Sequence, residues 1–165
     1  MRLGRTLRHL LLPAWATRRR FTPQVLAEIE AAIAELEGAH AGEICFAIET
    51  ALDLARLWRD AAPRECALDA FAQLRVWDTA RNNGVLIYVL FADHDVEIVA
   101  DRGVAERVSP AEWEVVSREM EAHFRGGRFA EGAVAGVRGV GRLLAAHFPH
   151  EGGDRNELPD RPSLL

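Results

Sequence analysis

The chain contains no lysine: all 20 of its basic residues are arginine. So complete an absence reflects a compositional bias, not twenty separate anion clamps. Cysteine is nearly missing too. Two cysteines, Cys45 and Cys66, cannot build a disulfide scaffold. No histidine or acid is spaced around either to make a metal site or a nucleophile, so both read as buried reduced thiols. No run approaches the roughly 18 apolar residues that a membrane span requires. A Walker loop is absent, which argues against nucleotide hydrolysis, and so is the G-x-S-x-G elbow of a serine hydrolase. No internal repeat is visible. Net positive charge is lacking as well. The formal charge is −5, which argues against nucleic acid as a partner. The balance is uneven, because residues 1–20 hold six arginines and no acid, leaving −11 for the remainder.

What is present suits one domain. A chain of 165 residues with 49% apolar composition can bury a sizeable core. Residues 1–21 read as a basic N-terminal helix or a flexible leader. On a helix, Leu3, Leu7, Leu10, Leu11 and Trp15 share one apolar side. That pattern fits a membrane-surface helix, a helix docked on the domain or on a partner, or a frayed terminus. The stretch faintly imitates a signal peptide, but Pro13 cuts its short apolar segment and three arginines follow at once. The expectation is therefore a cytoplasmic protein, with peripheral contact at the inner face of the membrane open through residues 1–20, and with a protein partner.

Thr22-Pro23 starts a helix, with threonine as cap and proline in the first turn. Val25, Ile29, Ile33 and Leu36 keep its apolar spacing to about His40-Ala41-Gly42. Residues 43–49, EICFAIE, form a strand that is apolar on both faces, which implies helices above and below the sheet. A helical turn over 52–59 precedes a helix from Pro63, whose buried stripe would be Ala67, Ala70, Phe71, Leu74 and Trp77. Residues 85–92, VLIYVLFA, read as a central strand. The next strand follows too closely for a crossover, so the two pair as a hairpin. The long helical connection from the first strand permits a parallel pair, and the sheet is mixed. Ser109-Pro110-Ala111-Glu112 is a capping box opening a helix that carries Trp113, Val116, Met120 and Phe124. A last helix covers 129–148. Its Gly132, Gly136 and Gly139 make sense if it packs closely on the sheet. From 149 to 165 the tail is polar, rich in proline and glycine, and expected to be disordered.

Acids sit at the strand ends. Asp78, Asn82 and Asp101 converge if the helix end lies beside the far end of the second hairpin strand, and would then offer oxygen ligands to a hard metal or a catalytic acid pair, Asp78 and Asp101. The competing reading makes Asp78 and Asp101 helix-end caps or partners of Arg81 or Arg102, and makes Asn82 and Asn83 turn formers. Asp93 and Asp95 lie at the opposite end of the hairpin, where a turn aspartate bonds to its own backbone. His94 is a lone histidine at the tip. Trp77, Tyr88 and Trp113 are core candidates.

The run from Trp77 through Asn82-Asn83-Gly84-Val85-Leu86 to Asp93 resembles the TPM domain family, also called the TPM phosphatase family. Phe124-Arg125-Gly126-Gly127-Arg128-Phe129 and the Gly132 to Val137 stretch continue the likeness, over roughly residues 22–148. The resemblance is to short bacterial members without a C-terminal membrane anchor. It implies a three-layer α/β/α sandwich with a small mixed sheet containing a β-hairpin. The functions it implies are diverse. A plant thylakoid member is linked to photosystem repair and described as an acid phosphatase. Others bind divalent ions or serve membrane complexes as accessory domains. The cofactor implied is a divalent cation such as Ca2+ or Mg2+. Two departures weaken that chemistry. Asp101-Arg102-Gly103 stands where the family has a glycine-aromatic-glycine, and Ser109-Pro110 stands where an aspartate opens the next helix. The leading functional expectation is an accessory or interaction domain at a membrane surface. The alternative is a divalent-metal-dependent phosphatase.

Overall fold

The computed structural model describes residues 3–149 and 156–165, apart from the side chain of Glu37. The elements run α1 (Leu3–Leu11), α2 (Ala14–Arg20), α3 (Pro23–Glu37), β1 (Glu43–Glu49), α4 (Leu54–Trp58), α5 (Pro63–Gln73), β2 (Gly84–Leu90), β3 (Asp95–Ala100), α6 (Arg102–Ala105), α7 (Pro110–Arg125), α8 (Phe129–His147) and β4 (Ser163–Leu164).

The sheet has the order β3-β2-β1-β4. β1 and β2 are parallel, from Glu43 opposite Gly84 to Glu49 opposite Leu90. β2 and β3 form the antiparallel hairpin, from Val85 opposite Ala100 to Leu90 opposite Asp95. A one-turn 3-10 helix at Phe91–Asp93 joins them, with His94 in the left-handed region at φ 53°. Strand alternation divides the core in two. Ile44, Phe46, Ile48, Val85, Ile87 and Val89 face α3, α7 and α8, while Cys45, Ala47, Leu86, Tyr88 and Leu90 face α4 and α5. This is the three-layer sandwich expected from two strands without a polar face.

The punctuation read from sequence operates as expected. Thr22 Oγ1 accepts the Val25 N–H at 3.3 Å at the start of α3. Glu112 Oε2 accepts both the N–H and the hydroxyl of Ser109, at 2.9 and 2.8 Å, at the start of α7. Both cysteines are buried and free. Burial pushes the Cys45 thiol up to about 11, so it stays protonated and unreactive.

Four readings are corrected. α5 ends at Gln73, so Trp77 leaves the helical stripe, stands about half exposed and carries the Arg75 guanidinium over its ring. The glycines of α8 do not meet the sheet. A Cβ on Gly136 would strike Met120, one on Gly139 would meet Val116, and one on Gly132 would meet His123 and Phe124, so this face is what lets α8 lie close on α7. The third concerns residues 156–165, within the stretch expected to be disordered. Leu158 is buried in the α5-side core, Glu43 Oε2 accepts its N–H at 3.2 Å, and β4 pairs parallel to β1 through Ala47–Ser163 and Ile48–Leu164. A few leucines outweigh the polar composition because they cover a strand edge that would otherwise be open. The part of the expectation that falls on residues 150–155 lies outside the described residues. Fourth, the N-terminal segment is two helices broken at Pro13, with the orientation described below.

Gly84 opens β2 with no room to spare, since a Cβ there would lie 2.0 Å from the Val76 carbonyl oxygen. That obstacle is backbone, whereas Gly136 faces the flexible thioether of Met120. Gly84→Ala is therefore expected to destabilise by about 3 kcal/mol or more, and Gly136→Ala by about 1–2 kcal/mol. Urea unfolding of the two variants checks the order.

Candidate functional site

β1 and β2 deliver their carboxyl ends to one rim of the sheet, the place where parallel α/β sheets present their ligand crevice. Here α1 occupies that rim. On a helix, Arg5, Arg8 and His9 fall at i, i+3 and i+4 and share a face. That face is turned inward onto Asp93. Arg5 Nε donates to Asp93 Oδ2 at 2.8 Å, and its Nη1 donates to the Ala61 carbonyl at 2.9 Å, with Asp60 at 3.7 Å. Arg8 Nη1 reaches Asp93 Oδ1 at 3.3 Å. His9 is buried, and its Nδ1 accepts the Leu52 N–H at 2.9 Å, which leaves the ring proton on Nε2. Nε2 stands 3.1 Å from Asp93 Oδ1 but off line, a close polar contact instead of an aligned hydrogen bond. Asp93 thus organises three basic side chains. The turn reading of this aspartate is replaced by a latch whose partners lie 84 to 88 positions upstream in the chain.

With its polar side spent on the latch, α1 shows water its apolar side. Leu3, Leu7, Leu10 and Leu11 are 75, 55, 51 and 71% exposed, and Trp15 on α2 is 61% exposed. Arg18, Arg19 and Arg20 follow, all exposed, with Arg19 over the Trp15 ring. α4, between the two loops that α1 contacts, adds Leu54 and Trp58 at 64 and 80% exposure. Usual amphipathic packing is inverted here.

The sequence-proposed acids do not form a comparable centre. The hairpin does bring Asp101 back beside Gly84, whose carbonyl accepts the Asp101 N–H at 2.8 Å. Asp101 then caps α6, its Oδ1 accepting the Arg102 N–H at 2.7 Å, while Oδ2 is buried without a partner. Asn82 sits in the left-handed region at φ 52°, and its Oδ1 accepts from the Arg102 guanidinium at 3.1 and 3.2 Å. Asp78 is exposed and pairs with Arg75 at 2.5 Å. Among the described residues no group of three histidine, cysteine or acidic side chains is arranged to hold a metal. A guanidinium on the amide oxygen and another on Asp78 leave a donor set that does not fit a divalent ion. Asn83 is more than a turn former. It is buried, donates its side-chain amide to the Ala41 carbonyl and its N–H to Thr79 Oγ1 at 3.1 Å, and so ties the starts of β1 and β2 together. His94 packs its ring on Phe91 and Phe129, and burial, followed by the charges of Arg8 and Arg125, holds it below the usual histidine range.

A second acid group was not visible in the sequence. The Glu49 carboxylate, at the end of β1, accepts the Tyr88 hydroxyl at 2.5 Å and two bonds from Arg56 at 2.8 and 3.1 Å. Burial and this carboxylate push the Tyr88 phenol far up, so the network is a fixed structural clamp. Asp95, two residues past the latch, is pushed up to about 6 by burial and then by Glu97, Glu121 and Asp93, with Arg5 opposing.

Removing the latch carboxylate takes the Nε acceptor from Arg5, leaves the buried His9 ring without its acid, and releases Arg8, whose side chain is already 57% exposed. A hydrogen bond to a charged group is worth about 1.5–3 kcal/mol. Asp93→Ala is expected to lower hydrogen-exchange protection of the α1 amides about tenfold or more, while β1 and β2 keep theirs. Asp95 works the other way. Its folded pKa lies above the unfolded value of about 3.9, so its favourable contribution is complete below that value and is lost as pH rises through about 6. Asp95→Asn should therefore raise the urea midpoint at pH 8, with the gain shrinking toward pH 4.

A family model described as the TPM domain matches residues 17–143. The NMR structure of the BA42 protein from the psychrophilic bacterium Bizionia argentinensis is similar, with a TM-score of 0.76 and 30% identity, covering 87% of this chain and 94% of that one. The N-terminal domain of a P. gingivalis protein shares the fold, with a TM-score of 0.58 at 22% identity over 73% of this chain and 76% of that one. No functionally curated protein matches in sequence. The latch cations precede the matched region and β4 follows it, whereas β1, the β2–β3 hairpin, α7 and most of α8 lie within it. The chain belongs to the TPM domain family.

Proposed function

We propose that this protein is an accessory domain, with no reaction of its own, that rests peripherally on an anionic membrane surface through α1 and recruits or steadies a protein partner there. The supporting observation is the inverted helix: its arginine and histidine side is latched to Asp93 and its leucine side faces water. Four leucines and a tryptophan, exposed by half to three-quarters, form a band followed by three exposed arginines. Complete burial of one such side chain is worth about 1.5–3 kcal/mol, so partial burial of five is worth on the order of 6 kcal/mol. Each arginine near an anionic surface adds about 1 kcal/mol. That sum suits reversible peripheral binding by a helix lying in the interface plane. No helix among the described residues is long and apolar enough to cross a membrane, so contact by this helix is made from one side. Anionic lipid is favoured over an apolar protein groove because arginines border the leucine band at its C-terminal end and Trp15 stands at the junction, where an aromatic ring meets lipid headgroups. Exposed arginines with the composition of the inner leaflet favour a cytoplasmic site.

The alternative of a divalent-metal-dependent phosphatase receives no comparable support from geometry, because Arg75 pairs with Asp78, Arg102 occupies the Asn82 amide oxygen, and the unpartnered Asp101 Oδ2 is one oxygen where a hard ion wants several.

Flotation with phosphatidylglycerol vesicles tests the membrane reading. The intact chain should float, binding to phosphatidylcholine vesicles should be weaker by tenfold or more, and salt should reduce binding to the anionic ones. Leu7→Asp with Leu10→Asp should stay with the soluble fraction while keeping the wild-type unfolding midpoint. If the wild type stays in the soluble fraction with both lipids, the proposal fails.

A further inference from the structure

We propose that the open edge of β3 is a docking groove for an extended basic peptide, which adds a strand to the sheet while its arginine or lysine side chains reach Asp95, Glu97 and Glu121.

The two edges of the sheet are treated differently. The outer side of β1 is closed by β4. The outer side of β3 has no strand beside it among the described residues. The pairing of β3 fixes which groups face outward. The Asp101 N–H bonds to the Gly84 carbonyl, so residues 95, 97 and 99 turn their peptide groups toward β2, and Val96, Ile98 and Ala100 turn theirs away. Of those outward groups, the Ile98 carbonyl has a protein partner, Arg64 Nη1 at 2.5 Å. An edge of this kind is a template for another strand unless something covers it. Here it forms one wall of an open groove of about 680 Å³, bounded by α7 through Trp113, Ser117 and Glu121 and by Arg64 on α5. An added strand lies about 4.8 Å from its neighbour, and main-chain bonds supply the affinity in this mode of recognition.

Charge selects the occupant. Asp95 Oδ1 is buried with no hydrogen-bond partner. Burial and then the neighbouring acids hold Asp95 above the usual carboxylate range, and burial holds Glu97 above it against the opposing pull of Arg64. Among the described residues Asp95 is thus the acid of this wall without a hydrogen-bonded cation, whereas Glu97 meets Arg64 at 3.4 Å and Glu121 meets Arg125 at 3.2 Å. Arg64 shows what fits: one guanidinium already bonds both an edge carbonyl and Glu97, at 2.5 and 3.4 Å. A second copy of this chain suits the edge poorly. Pairing antiparallel about Ile98 would set Asp95 of each strand opposite Asp101 of the other, like charges facing across a ladder. An acidic peptide meets the same repulsion.

The test uses the full-length protein and fluorescein-labelled octapeptides alternating arginine with valine. One is unmodified, two are N-methylated at either alternate set of amides, and one has glutamate for arginine. Edge pairing needs only one set of peptide N–H groups, so one methylated form should lose binding at least tenfold in anisotropy and the other should keep it. The glutamate form should not bind. Ser117→Trp, which fills the groove from α7, should weaken the basic peptide at least tenfold. The amide resonances of Val96, Ile98 and Ala100 should shift on binding in wild type. Equal binding of the unmodified and both methylated forms would reduce the contact to charge alone and overturn the proposal. So would absence of binding, binding unaffected by Ser117→Trp, or shifts confined to residues away from β3.

Discussion

One carboxylate sets the presentation of the N-terminal helix. Asp93 takes Arg5, Arg8 and His9 together, and Leu52 and Ala61 complete the seat with main-chain groups. A nine-residue helix is too short to persist alone in water, so its shape comes from this docking. Ordinarily a helix buries its leucines and hydrates its arginines, because taking apolar surface out of water is what drives packing. Here the rim of the sheet offers a partly buried acid and open peptide groups instead of an apolar groove, and a polar helix face is the complement. The cost is a leucine band left in water. A lipid or protein surface removes that cost, which is why the internal latch and the external contact belong to one account.

Much of the fold was legible in local chemistry. β1 and β2 are apolar on both faces, and nothing but two helical layers satisfies that. The short ADHD link leaves no length for a crossover, so the hairpin and the return of Asp101 to Gly84 follow from connection length alone. The misreadings share another cause. Leu158 and β4 belong to a tail whose composition is that of a disordered segment, and its order comes from a single strand edge far away in the sequence. Gly132, Gly136 and Gly139 do mark a close approach, but spacing cannot say which neighbour approaches, and it is α7. Trp77 lies one turn past a helix end, where a difference of a few residues moves a side chain from core to surface.

The site was less legible, for a physical reason. The sequence showed the leucine side of the N-terminal helix and its arginines, but not which side the domain would hold. That depends on Asp93, and a turn aspartate bonded to its own backbone has the same local sequence as one that binds a distant guanidinium. Asp78 and Asp101 drew notice because they end elements, and ending elements is what occupies them. Asp101 caps α6, and Asp78 pairs with Arg75 within its own turn. An acid that meets a local donor is satisfied cheaply, and one that waits for a donor from another element is the one that organises a site.

Asp95 joins the two surfaces. It lines the groove beside α7 and also the cavity beneath α1, where Asp93, Arg5 and Arg8 gather. Arg5 already lowers its proton affinity while Glu97 and Glu121 raise it, so the latch and the β3 edge share one electrostatic field. In a partly buried setting such charges are weakly screened. A cation entering the groove supplies what Arg5 supplies from the other side, and withdrawal of α1 leaves Asp95 more in need of it. By reciprocity, whatever free energy couples the groove to the latch couples the latch to the groove by the same amount. The placement of a single carboxylate at the start of β3 thus makes the rim and the edge of the sheet two parts of one charged surface.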